Sequence, residues 1–431
     1  MMGTSEKQKT GIKSHLLKLL LAAAFVFSLT ILGGGHNEDV QAATKATVKQ
    51  VDDGATYATI RFNITRGEDI SYRMSLSKSG LTNAQARVIG KANDTADTEV
   101  DIPNLSAGSS YWIQIGSQSG NDASITWSDP FEIVTCPNIT PTNLKQTKAQ
   151  KTSINVSWKA SSGANMYAVS TCKAGETKWS KDTNVTKTNA AFTRLKQGAG
   201  YRVAVWPARQ SSTAGSDGKK YIAYSYNSNI AYSTKYYPTI AKKPSAPVLT
   251  AGYRQTGKAN VGVKPQNYVT GYQFQIYDMS TKKVVATTKS TSYRKTISSS
   301  KLKKNHVYKV RVRSYVVNTN YHSEWSSYSY FASQKKGTLR ASWAVNGIKL
   351  SWNKVGGARK YEVYVSTTRD GKYKKAATTT KRSYTITKYG KSPLQSGRRY
   401  YYYVAPVTKD GKKYYSTNKN MYYTWSAIYY R

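Results

Sequence analysis

A chain of 431 residues leaves room for several domains, and 65 Lys and Arg against 22 Asp and Glu give it a formal charge of +43. Two cysteines, Cys136 and Cys172, cannot form a disulfide framework, so each domain must rest on its own hydrophobic core. His306 and His322 are the histidines beyond residue 42, and no nucleophile elbow or clustered metal-ligand spacing accompanies them; no catalytic residue, metal or small-molecule cofactor is expected.

Residues 1–42 do not read as part of a fold. Lys7, Lys9, Lys13 and Lys18 precede or open onto an apolar run from Leu19 to Leu32, and Val40-Gln41-Ala42 offers small residues for cleavage before Ala43. A basic start, an apolar stretch too short for a typical span and a small-residue site describe a secretory signal peptide. Export of the remainder is the expectation. The C-terminus carries neither a sorting motif nor an apolar tail, so no covalent tether to membrane or wall is expected.

The rest of the chain repeats. Leu105 to Tyr111, Leu195 to Tyr201, Leu302 to Tyr308 and Leu394 to Tyr400 all share the spacing Leu-x5-Tyr. The middle position is Gly108, Gly198, Asn305 or Gly397, residue types that accept a left-handed backbone most readily. After each Tyr the chain alternates: Tyr111, Ile113, Ile115; Tyr201, Val203, Val205; Tyr308, Val310, Val312; Tyr400, Tyr402, Val404. Period two signals a half-buried strand. Upstream, Ile154, Val156 and Trp158 alternate with Tyr167 nine residues on, and Ile348, Leu350 and Trp352 alternate with Tyr361 nine residues on. Phe62 with Tyr72 and Val263 with Tyr272 stand in those places elsewhere, without the Trp. Asp217-Gly218, Asp370-Gly371 and Asp410-Gly411 suit hairpin turns, and no stretch has sustained helical periodicity.

The Leu-x5-Tyr units resemble the tyrosine corner leading into strand F of fibronectin type III domains, and the Trp/Tyr pairs resemble the strand B Trp and strand C Tyr of the same family. The resemblance implies an all-β chain of four tandem fibronectin type III, immunoglobulin-like β-sandwiches after the signal peptide. It makes Tyr111, Tyr201, Tyr308 and Tyr400 structural corners, and Trp158, Tyr167, Trp352 and Tyr361 core residues. The expected boundaries are 1–42, 43–137, 138–240, 241–334 and 335–431. Proline in the first two linkers (Pro137, Pro141; Pro238, Pro244, Pro247) favours a stiff rod, and the proline-free segment 334–337 is the expected hinge.

Charge is unevenly divided. Residues 44–136 carry a net −3, 137–238 carry +12, 239–334 carry +14 and 335–431 carry +19. Like charges in one compact body repel, so such a surplus points to a polyanionic partner: an anionic cell-wall polymer or polysaccharide, or else an anionic membrane surface or extracellular nucleic acid. Lys309, Arg311 and Arg313 alternate with the inward residues of their strand and should form a basic ladder on the sheet's outer face. Arg398, Arg399, Lys412 and Lys413 flank the last hairpin and form a second candidate set. Tyr364, Tyr401 and Tyr403 should lie on the outer face of the fourth module; rings there either stack on sugars or merely stabilise the sheet as cross-strand pairs.

Other signals are weaker. Asp52-Asp53, Glu68-Asp69 and the run Asp94, Asp97, Glu99, Asp101 lack a calcium-loop motif and read as solvated acids. Both histidines read as surface residues. Cys172 should point outward, and strand C carries it away from the pole where Cys136 enters; a bridge needs Cα atoms within ~7 Å, so both a bridged and an unbridged pair stay open, the unbridged one favoured. The long segment 210–228 reads as a binding loop or as an extended hairpin. The resemblance extends to secreted proteins of Gram-positive bacteria built from tandem fibronectin type III modules. It implies a non-enzymatic extracellular binding or spacer protein, held at the envelope by its basic modules. A carbohydrate-binding adhesin, or an accessory chain of an extracellular enzyme, is the alternative.

Overall fold

The computed structural model describes residues 45–64, 68–91, 98–119, 124–225, 229–249, 257–317, 320–333, 339–417 and 425–428. The leader at 1–42, the acids Asp94 and Asp97 and the hinge segment 334–337 lie outside the described residues. Those described form antiparallel strands, with one short 3-10 turn at Ser79–Asn83.

Alternation builds the same two-sheet plan four times. The smaller sheets have three strands, for example Thr142–Ala149, Ile154–Lys159 and Asn189–Phe192, or Leu339–Ala344, Gly347–Trp352 and Ser383–Ile386. The larger sheets centre on the strand that follows each Leu-x5-Tyr unit: Ser110–Gln118, Gly200–Ala214, His306–Val316 and Arg399–Asp410. Between the sheets, each module buries its alternating residues in a separate core. Tyr308, Val310 and Val312 are fully buried with Phe274 and Phe331 in the third, and Phe62 with Ile113 and Ile115 in the first. Trp158 meets Tyr167 edge-on at 5.3 Å and Trp352 meets Tyr361 at 5.4 Å, so two modules share one aromatic arrangement and the others fill that space with Phe62 or Val263.

The corner turns are left-handed at all four middle positions: φ is +61° at Gly108, +70° at Gly198, +57° at Asn305 and +76° at Gly397. Each turn brings the backbone N–H five residues upstream onto the Tyr hydroxyl. Ser106 donates to Tyr111 at 2.8 Å, Lys196 to Tyr201 at 2.7 Å, Lys303 to Tyr308 at 2.6 Å and Gln395 to Tyr400 at 2.9 Å. A second set falls on the repeated tyrosines that follow Trp158, Val263 and Trp352. Tyr167, Tyr272 and Tyr361 accept the N–H six residues upstream, from Ser161, Gln266 and Val355, at 3.0, 2.8 and 3.1 Å. Tyr308 also donates to the Lys303 carbonyl at 3.1 Å, so Tyr308→Phe leaves two backbone groups without their partner. The expected cost is about 1–3 kcal/mol. Thermal melting of the third module with and without the hydroxyl checks it, and unchanged melting would refute the corner's contribution.

Of the 210–228 segment, residues 210–225 are described, and they form an extended hairpin that docks on the neighbouring module. The 15-residue strand Gly200–Ala214 runs past its partner Met166–Lys173, whose end pairs Met166 with Ala208, and returns as Lys220–Tyr224. Ser216 N–H donates to the Val48 carbonyl at 3.0 Å and the Tyr221 hydroxyl donates to Asp53 at 2.8 Å. Ser212 donates from its N–H and hydroxyl to the buried Glu132 carboxylate, and Arg209 reaches both Gly163 O (3.0 Å) and Ser110 Oγ (3.2 Å). The third and fourth modules are also joined. Val307 N–H donates to Gly356 O at 2.8 Å, Gly356 N–H to Asn305 O at 2.7 Å, and Val307 and Ala332 pack into the fourth module's core.

Two readings need correction here. Cys136 and Cys172 are both free, and Cys172 points away from the module core as alternation requires but is not exposed: the 174–180 segment covers it, and its thiol donates to Glu176 O at 3.1 Å. His306 is not a simple surface residue. Its Nδ1 lies 2.8 Å from the buried Asp278 carboxylate and 2.9 Å from Ser280 Oγ. Burial raises the Asp278 carboxyl, but the Ser280 N–H, His306 and the Ser280 hydroxyl outweigh it and hold the group below its ordinary range. Serine and aspartate share the same ring nitrogen, so this is no relay from acid through imidazole to nucleophile.

Candidate anion-binding face

His306–Val316 pairs with Gly271–Asp278 in a register that sets Lys309 opposite Tyr277, Arg311 opposite Gln275 and Arg313 opposite Gln273. All three cations lie on the outer face, half-buried. The glutamines orient the guanidinium groups. Gln275 Oε1 accepts from Arg311 Nε at 3.0 Å and Nη2 at 2.7 Å, and Gln273 Oε1 accepts from Arg313 Nε at 2.8 Å.

A segment without strand alternation covers the ladder. From Ser323 to Tyr328 the chain runs alongside the same strand without joining the ladder of regular pairs. Ser323 Oγ accepts the Ser314 N–H and Ser326 Oγ accepts the Val312 N–H, both at 3.0 Å. This places Trp325 and Tyr328 over the cations. Arg311 and Arg313 sit 4.4 and 4.5 Å from the Trp325 ring, and Lys309 sits 4.3 Å from Tyr328 and 4.8 Å from Tyr277. Sequence reasoning missed Trp325 and Tyr328; the signal that could have found them is the spacing of Ser323, Trp325 and Ser326 just before the last strand. Burial, then repulsion from Arg311, lowers the Arg313 pKa below its ordinary value, yet a guanidinium keeps its charge at neutral pH. Among the described residues, Arg311 Nη1 and both Nη atoms of Arg313 have no intramolecular acceptor. Guanidinium groups fixed by glutamine along one edge and by an indole across one face present their remaining donors in a preset geometry, suited to phosphate or carboxylate oxygens.

Lys309 is committed differently. Its Nζ lies 2.7 Å from Asp410 of the fourth module, which also accepts from the Tyr330 hydroxyl at 2.7 Å. Burial raises the Asp410 carboxyl, but these two donors outweigh it and hold it low. Tyr330 stacks on Tyr415 at 4.3 Å beside this pair. Lys309 therefore clamps the joint as well as ending the ladder.

The other candidates separate. Arg398 and Arg399 stand at the start of Arg399–Asp410, while Lys412 and Lys413 lie at the turn beyond its end. At ~3.3 Å per residue the two pairs are roughly 35 Å apart, so they do not form one cluster. Tyr364 and Tyr403 are a cross-strand pair stacked at 4.7 Å, with Tyr373 against Tyr403 at 5.1 Å. Tyr403 faces outward but is only 7% exposed beneath these rings, so it offers no open platform; Tyr401 stays half-exposed on the same strand. The acids of the first module are occupied: Asp101 accepts from Thr59, Glu99 pairs with Arg61 and Asp53 accepts from Tyr221. Among the described residues no group of His, Cys, Asp or Glu is placed to hold a metal ion.

No curated protein matches the sequence. The FN1–FN3 domains of chicken CNTN1 align over 67% of this chain and 98% of their own length, at 16% identity and a TM-score of 0.30. Residues 140–220 match the fibronectin type III domain. The described residues form a tandem array of immunoglobulin-like β-sandwiches, and the second of them carries the match to the fibronectin type III domain.

Proposed function

We propose that this is a non-enzymatic extracellular spacer protein that holds to an anionic envelope polymer, of wall or polysaccharide type, through its basic modules. The observation that carries this reading is the pair Arg311 and Arg313, fixed by Gln275, Gln273 and Trp325 with donor edges left open. The rising charge, from −3 in residues 44–136 to +19 in residues 335–431, supplies the long-range attraction around that site. The leader expected at residues 1–42 supports export. Burial of Tyr403 weighs against a sugar platform on the fourth module.

The test is retention on a purified anionic wall polymer. The mature chain should be held at low salt and released at high salt, as the screening length falls from ~10 Å at 0.1 M to ~3 Å at 1 M. Arg311→Gln with Arg313→Gln should weaken binding roughly tenfold or more, at ~1 kcal/mol per engaged cation. Residues 45–136 alone should wash through. Retention that ignores salt would refute the proposal.

A further inference from the structure

The joint between the second and third modules contains a cleft of about 320 Å³ lined by Lys151, Lys242, Lys243, His322 and Glu324. Its floor is the linker between the two modules, pinned from both sides. Ile240 N–H donates to Gln150 O at 2.8 Å and Gln197 Nε2 to Ala241 O at 3.3 Å from the second module; Gln266 Nε2 of the third donates to Lys242 O at 2.8 Å. Pro244 and Pro247 follow directly. The backbone that carries Lys242 and Lys243 is therefore held before any ligand arrives.

The charges inside the cleft do not cancel. Glu324 is bound to Lys151 at 2.8 Å, and that hydrogen bond, with Lys243 contributing further off, holds its carboxyl below the ordinary range. Lys242 and Lys243 are exposed, and neither has a carboxylate partner among the described residues. His322 Nε2 is buried without a hydrogen-bond partner. Besides the cleft residues, Arg313 and Lys289 are the cations that face His322. The segment that carries His322 and Glu324 also carries Trp325, so the cleft continues the Arg311–Arg313 ladder around the edge of the third module.

We infer that the cleft at this joint is a second anion subsite, in which Lys242 and Lys243 take a phosphate or carboxylate group of the polymer whose neighbouring groups lie on the ladder. One bound chain then spans two modules and braces the joint between them. This rests on the polyanion reading above. Its distinctive content is that a linker, rather than a sheet face, contributes to affinity, and that Glu324 opposes binding.

The test uses the mature chain with two probes, inorganic polyphosphate and polygalacturonate, titrated over a series of salt concentrations. Lys242→Gln with Lys243→Gln should weaken binding about tenfold and reduce the slope of log K against log salt by roughly 1.4 to 1.8, at ~0.7–0.9 for each anionic group no longer neutralised. Lys282→Gln with Lys283→Gln removes the same charge at the opposite pole of the module and should change affinity less than twofold. Glu324→Gln should tighten binding several-fold, because it frees Lys151. A stronger response with polyphosphate assigns the subsite to phosphate, and one with polygalacturonate to carboxylate. If the wild-type chain binds salt-dependently but the Lys242/Lys243 and Lys282/Lys283 variants behave alike, the subsite is refuted and the polyanion reading stands. If the wild-type chain binds neither polymer, both fall.

Discussion

Gly108→Ala should destabilise the first two modules by several kcal/mol, while the equivalent Gly397→Ala should cost the fourth only about 1 kcal/mol. Both glycines hold the left-handed position of a corner turn, at φ +61° and +76°, so both substitutions carry the same local strain. Their surroundings differ. A Cβ on Gly397 would meet nothing within 4 Å, whereas one on Gly108 would lie 2.8 Å from the Gly163 Cα of the second module. Gly163 is itself left-handed, at φ +78°, and neither backbone can yield without parting the modules. Separation would also break the Arg209 bonds to Gly163 and Ser110 and pull the long hairpin from Val48 and Asp53. Melting of fragments 45–249 and 339–431, each with and without its substitution, measures the difference. Equal losses would show that the two modules do not bear on each other at this point.

The same clasp should loosen as pH rises from about 4 to about 7. Burial raises the Asp53 pKa from 3.8 to about 7; the Tyr221 hydroxyl opposes this and the Asp52 charge adds to it. Burial, followed by the Asp53 charge, likewise pushes the adjacent Cys136 thiol up to about 11. With its folded pKa above its unfolded one, Asp53 binds more protons in the clasped state. Its contribution is fully present below pH 3.8 and is lost as pH rises towards 7, after which stability no longer changes with this group. Fragment 45–249 should therefore melt several degrees lower at pH 7.5 than at pH 5. Asp53→Asn keeps an acceptor for Tyr221 and cannot ionise, so it should remove most of that difference. A pH dependence that survives the substitution would place the titrating group elsewhere.

The corners were legible because everything they need is local. Leu-x5-Tyr with Gly or Asn between them specifies a left-handed turn, and the hydroxyl's partner lies five residues upstream on the same turn. Period-two alternation likewise placed Lys309, Arg311 and Arg313 on one face, since a strand admits only two. What covers that face was not legible, because Ser323 to Tyr328 approaches from the far side of a loop and is held there by two serine hydroxyls bonded to the strand backbone. Tyr403 and Cys172 show the same limit from the other side. Both point away from their core, as alternation requires, and both are buried, one by Tyr364 and Tyr373 and the other by the 174–180 segment.

The amino-acid sequence by itself determined the repeat, the strand faces and the gradient of charge, all properties of residues near one another along the chain. Only the tertiary structure decided how the modules meet. An Asp-Gly turn between two runs of residues able to form strands specifies a hairpin, but not whether it ends in solvent or against a neighbour. In the 210–228 segment that choice rests on Ser216 meeting Val48, Tyr221 meeting Asp53 and Ser212 meeting Glu132, pairs separated by 80 residues or more. Partners that far apart along the chain leave no local pattern that records their meeting.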